Sequence, residues 1–303
     1  MQRSGLQTQR LRWAGVALAP LILILCAVAG WPLARTVWFS FTDAALDTLS
    51  QGHVFVGLDN YFGEFGVVRD PDFWQAVRNT LVFALLSVSL ETVLGLVVAL
   101  VINHPSPART LLRAAVLVPW AIPTVVSARI WGWMLNDQYG VVNHGLMQLG
   151  LISSPIAFTG DPQWSLLTIV LVDVWKTTPF MALLILAALQ LVPTDCYEAA
   201  RVDGVPPARV FWRITLPLIA PGLAVAVLFR LLDALRVFDV IYVMTSNSRH
   251  TKSLSIYVRE QLIDFQLIGV GSAAATALFF VVALVTIGSM VLVRRRGLQG
   301  ASA

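Results

Sequence analysis

Eight ionisable residues stand inside long apolar runs of this 303-residue chain: Glu91, Arg129, Asp173, Lys176, Arg230, Asp233, Arg236 and Asp239. A charge at the centre of a membrane helix costs about 2.5–3.5 kcal/mol on insertion scales, so each requires a partner or a wet cavity. Arg230, Asp233, Arg236 and Asp239 alternate in sign every three residues, which puts neighbours within reach on one helix. Three residues turn a helix through about 300°, so the ladder drifts and cannot all face one cavity. Arg236 and Asp239 read as an ion pair near the outer end of the run, whereas Arg230 and Asp233 lie nearer its middle and could hydrogen-bond a polar solute. Asp173 and Lys176 are one turn apart, with Pro179 just beyond them to bend the helix and free a carbonyl. Carboxylates, Lys, Thr and Trp around a kink suit a carbohydrate, whose hydroxyls need donors and acceptors while its ring faces stack on aromatics. The alternative is an Asp–Lys pair that only holds helices together. Glu91 and Arg129 read as helix-interface residues.

The elements that position these groups follow from composition. Hydrophobic residues make up 57% of the chain and charged ones 13%, against about half and a quarter in a soluble domain. A core cannot hide that much apolar surface, so the bilayer must solvate much of it. Six runs reach the roughly 20 apolar residues a spanning helix needs: 13–35, 77–102, 113–135, 165–190, 218–243 and 268–293, after a tail over 1–12. The expected fold is an all-α polytopic membrane protein, one transmembrane domain over the whole chain. The first run has basic residues before it but no small-residue cleavage site, and reads as a retained span. An even number of spans puts both termini on one side. Eleven Lys or Arg lie on that side, including Arg3, Arg10, Arg12, Arg109 and Arg294 to Arg296, against six on the other, which predicts both termini in the cytoplasm. The net charge of +4 is spread over span ends rather than gathered in a basic patch, so nucleic acid is not an expected partner. Pro119 and Pro123 predict a bent third span, with Trp131 and Trp133 in an interfacial belt. Cys26 and Cys196 form no disulfide or metal pattern, and the four histidines, His53, His104, His144 and His250, fall in expected loops.

The loop over 191–217 carries the most specific pattern. Thr194 or Asp195 can cap a short helix, Ala199 and Ala200 permit close approach, and Gly204 with Pro206 and Pro207 ends it. A second amphipathic helix follows, with Val210, Phe211, Ile214 and Leu216 apolar and Arg209 and Arg213 polar. The run Glu198-Ala-Ala-Arg-Val-Asp-Gly204, then Phe211-Trp-Arg-Ile-Thr-Leu-Pro217 and Pro221, resembles the EAA loop of binding-protein-dependent ABC importer permeases, with Val205 where that family usually has Ala. Phe55-Val-Gly-Leu-Asp-Asn-Tyr61, Phe73-Trp74, Asn79-Thr80, Val174-Trp-Lys-Thr-Thr-Pro-Phe-Met181 and Leu231 to Thr245 are similar to segments of its carbohydrate branch, the trehalose/maltose type.

The resemblance implies a type I importer permease of a bacterial inner membrane. Its implied partners are a second, homologous permease subunit, an ATPase dimer and an extracytoplasmic solute-binding protein, and its implied cargo a sugar such as trehalose or maltose. Glu198, Ala199, Ala200, Asp203 and Gly204 would form the coupling helix that docks on the ATPase. Positions matching the sugar site of the maltose system are Asp173, Lys176, Thr177, Phe180, Arg230 and Ala234; Asp233 joins them from the charge argument. The chain carries no G-x-x-x-x-G-K-[ST] phosphate loop, so no catalytic residue, metal or cofactor is expected in it, and ATP with its magnesium belongs to the partner subunits. The competing readings are an importer of another polyol or a glycerol-phosphate-like solute, with Arg230 and Lys176 meeting the anion, an ion-coupled secondary transporter, and a membrane enzyme. The last lacks an H-E-x-x-H or G-x-S-x-G motif.

Overall fold

The apolar runs become helices in the computed structural model, which describes residues 2–49, 52–104 and 107–300. The side chains of 2–12, 14, 109 and 292–300 lie outside that description, and with them Arg3, Arg10, Arg12, Arg109, Arg294, Arg295 and Arg296 of the orientation argument. Five helices are long and apolar enough to cross a bilayer, and a pair bent by 85° makes a sixth span. Helix α1 (Gly15–Phe39) is followed, after the first loop, by α2 (Pro71–Asn103). Proline in its first turn and Asp72 beside it favour the start of α2, since proline fixes a helical φ and the acid faces the positive end of the helix dipole.

The third span is two helices, α3 (Arg109–Ala121) and α4 (Thr124–Met134). Ile122 is extended (ψ 132°), as a residue before proline is driven to be, so the break falls at Pro123 while α3 continues through Pro119. Helix α5 (Val141–Gln148) occupies a stretch expected as loop and carries His144. Helix α6 (Ser165–Gln190) runs unbroken through Pro179 and is the most enclosed of the spans. Helix α7 (Thr194–Val202) starts directly after Pro193; Thr194 and Asp195 lie inside it and make no cap. Asp195 in its first turn and Arg201 in its last complement the dipole, and Gly204, at φ 64°, supplies the left-handed residue that ends it.

The expected second loop helix is not separate. It is the beginning of α8 (Pro207–Ala234), which passes a π-turn at Phe211–Thr215 and stops nine residues before the expected end at 243. Leu235 to Phe238 turn the chain into α9 (Asp239–Thr245), and α10 (Leu254–Arg259) and α11 (Ile268–Gly300) complete it. The isolated bridge between Thr42 and Phe55 is the sole β-pairing among the described residues.

Two compact units arise, one of the chain up to Asp70 with Val258–Ala277, the other of Pro71–Tyr257 with the chain from Leu278. Within the first, Asn60 donates to the carbonyls of Ser40 (3.0 Å) and Thr42 (2.7 Å), and the Tyr61 hydroxyl donates to Ser40 Oγ at 2.9 Å. The Gly269 amide donates to Ala44 O at 2.7 Å, and a Cβ on Gly269 would stand 2.1 Å from Thr42 O, so only glycine allows that approach. In the second unit α6 is the hub. Gly95 of α2 lets that helix close on Met181 and Ala182, and Gly222 of α8 lets it close on Ala188, where an added Cβ would meet the alanine Cβ at 2.5 Å. Small residues at such crossings are how membrane helices gain contact when burial from water drives nothing.

Candidate functional site

Four helical charges that the sequence scatters over three spans meet at one point. Arg230 of α8 grips Glu91 of α2 with two bonds, Nε to Oε2 at 2.5 Å and Nη2 to Oε1 at 2.9 Å. Its Nη2 also reaches Asp173 Oδ2 of α6 at 3.3 Å, and Nη1 donates to Asp233 one turn on. Hydroxyls complete the set. Ser87 Oγ lies 2.6 Å from Asp173 Oδ2 and 2.8 Å from Glu91 Oε1, and Thr177 Oγ1 lies 2.5 Å from Glu91 Oε1 and 2.6 Å from its own i−4 carbonyl, Asp173 O. Each hydroxyl has one proton, so it serves one of its acceptors at a time. A two-pronged guanidinium–carboxylate pair is the geometry in which a buried charge is best compensated.

The pairing differs from that expected along single helices. Asp173 faces Arg230 and Ser87 rather than Lys176, whose Nζ donates to the Trp120 carbonyl at 3.4 Å. Arg236 and Asp239 do not form the expected ion pair: the helix ends at Ala234, three-residue spacing no longer brings them together, and Arg236 Nε donates to Leu232 O at 3.2 Å. Arg129 is exposed on α4. Glu91, read from sequence as an interface residue, is fully buried and is the main partner of Arg230. Counting charges by span does not find this pair: the span of Arg230 carries two bases and two acids, and the lone base is Arg129, inside the third span; the lone acid Glu91 signals only that it needs a partner in another span.

This network floors a cavity of about 270 Å³, close to the lower end of the range of small-molecule sites. Asp173, Lys176, Thr177, Arg230, Asp233 and Ala234 all line it, which brings six of the seven proposed solute residues to one place. The seventh, Phe180, stacks on Trp120 (centroids 5.7 Å apart, planes 11° apart), and Trp120 itself forms part of the wall. Sequence reasoning missed Trp120, Phe238 and Asp239 as wall residues, because the breaks at Pro123 and Ala234 that turn them inward are tertiary features. A larger cavity of about 340 Å³, against Trp131, Phe158 and Trp164, has a lining that is almost wholly apolar, with the Thr168 hydroxyl and the indole N–H groups as its polar side-chain atoms and no charge. It is ill suited to a hydroxyl-rich solute. Among the described residues no group of three or more His, Cys, Asp or Glu is placed to hold a metal ion.

The loop motif presents a second surface. Glu198 and Ala199 are exposed on α7, as are Asp203 and Gly204 in the turn that ends it, and Val202 beside them is 88% exposed. Ala200, 5% exposed, points inward and lies beneath that surface, while Tyr197 packs on the core. The helix is therefore anchored by one face and free on the other.

The family of binding-protein-dependent transport system inner membrane components matches residues 91–297. The chain is 41% identical over 288 residues to the trehalose/maltose transport system permease protein of Thermococcus litoralis, covering 94% of each chain. It is 38% identical over 268 residues to the sulfoquinovosyl glycerol transport system permease protein of Agrobacterium fabrum, covering 88% of this chain and 85% of that one. In fold it matches a chain of a bacterial ABC transporter involved in import of the acidic polysaccharide alginate, with a TM-score of 0.79 at 24% identity over 97% of this chain and 99% of that one.

Proposed function

Because the chain belongs to the binding-protein-dependent transport system inner membrane components, we propose that it is a membrane subunit of an ABC sugar importer and forms part of the translocation pathway. Its cargo in this reading is a sugar of the trehalose or maltose kind. The observation that carries the proposal is the charged cavity between α2, α6 and α8, walled by Trp120 and floored by the Arg230 network, in a chain 41% identical to a trehalose/maltose permease. Its carboxylates accept from sugar hydroxyls, Lys176 donates, and the indole offers a stacking face.

Energy reaches the cavity through α7. Both termini and α7 face the cytoplasm, and Glu198, Ala199, Asp203 and Gly204 seat on a partner ATPase, with Ala200 packing the helix to its own subunit. Closure of two ATPase subunits around ATP displaces α7, and α8 transmits the displacement as a rod to the cavity at its far end, alternating access in the manner of bistable helix bundles. The test is ATP hydrolysis by the complete complex, reconstituted with its second membrane subunit, ATPases and solute-binding protein, across neutral disaccharides, polyols and sugar phosphates. Stimulation by a neutral disaccharide supports the reading. Stimulation by a polyol or sugar phosphate alone replaces the cargo, and hydrolysis indifferent to every solute contradicts the importer role.

A further inference from the structure

We infer that the cavity accepts an uncharged sugar and rejects anionic ones, and that Glu91, which lies outside the cavity wall, sets this charge class by holding the guanidinium that would otherwise receive an anion. The inference deepens the sugar-importer reading and rests on it.

An anion leaving water needs a charge-assisted donor with free hydrogens. Three bases line the cavity, and the one on its floor is committed. Arg230 is the one placed to offer a planar fork, yet four of its five donors already point at Glu91, Asp173 and Asp233, and its side chain is 3% exposed. Lys176 is buried with one donor on the Trp120 carbonyl, and Arg236, exposed on the wall, turns its Nε back to Leu232, so the one buried guanidinium of the wall is that of Arg230. The acids stand differently. The Asp233 side chain is 73% exposed, and Asp239 is exposed as well. Three acids and three bases on the wall balance, and Glu91 beneath them leaves the set one unit negative. An entering sulfonate, phosphate or uronate meets a formally net negative set and finds the buried guanidinium already held by acids, whereas neutral hydroxyls find free carboxylate oxygens and two aromatic faces, Trp120 and Phe238.

The same geometry locates the determinant. Replacing Glu91 by the isosteric amide keeps the shape of the site and leaves Asp173 and Asp233 to hold Arg230, while removing one negative charge and one grip on the fork. Asp233→Asn removes a charge at the exposed rim, where folding is not at stake.

The test is solute binding by calorimetry to the assembled membrane and ATPase complex without the solute-binding protein, whose own selectivity would otherwise be read. Trehalose and maltose are compared with trehalose 6-phosphate and sulfoquinovosyl glycerol on wild type, Glu91→Gln and Asp233→Asn. The wild type should bind the neutral pair at least about tenfold more tightly, and each variant should narrow the gap by about tenfold, the effect of one unit charge several ångströms away in a partly wet site. Wild-type binding of the anionic pair as tight as the neutral pair, or an unchanged gap in both variants, overturns the inference and leaves the importer reading standing. Failure of the wild type to bind either pair overturns the sugar reading of the cavity and this inference with it.

Discussion

Arg230 is the residue whose loss the membrane domain should tolerate least. With it gone, Glu91 and Asp173 are left buried, negative and close together, joined through Ser87. Removing one partner of a buried ion pair costs about 3–5 kcal/mol, so Arg230→Ala should lower the thermal midpoint of the detergent-solubilised complex by several degrees or prevent its assembly. Asp233→Asn should cost about 1 kcal/mol or less, because that carboxylate is largely in solvent. Equal destabilisation by the two variants would show that the guanidinium is not held as described. The sequence disclosed that these charges need partners but not which ones. Helical spacing favoured neighbours in the chain, Asp173 with Lys176 and Arg236 with Asp239, whereas the fold pairs α2 with α8 across 139 residues. Pairing between spans depends on helix rotation and depth, which a single helix's periodicity does not contain.

At the scale of elements, the existence of the spans was legible, and their breaks and the short helix α5 were less so. Apolar length alone finds the spans, since the bilayer demands it. Pro123 announced a bend but not its 85°, and the stop of α8 at Ala234 has no proline or glycine to announce it. The merging of the second loop helix into α8 was hidden for the opposite reason: Pro217 stands between the expected loop helix and the expected span, yet the helix passes it. Glycine contacts at the crossings give an asymmetric expectation. Gly222→Ala drives a Cβ into the Ala188 Cβ, and overpacking of this kind costs about 1–3 kcal/mol. Gly95→Ala meets the flexible Met181 side chain most closely, 2.8 Å away at Cγ, which can rotate, and its other contacts, Met181 Cβ at 3.1 Å and the Ala182 nitrogen at 3.2 Å, are looser than the 2.5 Å at Gly222. Thermal unfolding of the two variants should therefore rank Gly222→Ala as clearly the more damaging. On α7, Ala200→Leu should impair folding and Glu198→Lys should not, since one faces inward and the other outward; the yield and thermal midpoint of the membrane subunit purified without the ATPase separate the two.

For the whole molecule, the orientation rests on the distribution of Lys and Arg and has a direct check in the two native cysteines. Cys26 is on α1, and Cys196 on α7 is partly exposed. In a Cys26→Ser background, a membrane-impermeant thiol reagent should label Cys196 in inside-out vesicles and leave it untouched in intact cells. Labelling from outside would invert the topology and detach α7 from any cytoplasmic ATPase. Coupling and cargo meet in one measurement: accumulation of labelled trehalose in proteoliposomes holding the complete complex and its solute-binding protein, with ATP supplied on the α7 side. Uptake should require ATP hydrolysis, ignore imposed proton or sodium gradients, and fall at least about tenfold in Glu198→Lys, the loss expected when a docking contact of about 1.4 kcal/mol is broken. Uptake that follows an ion gradient without ATP, or that survives the Glu198→Lys change in full, would contradict the account.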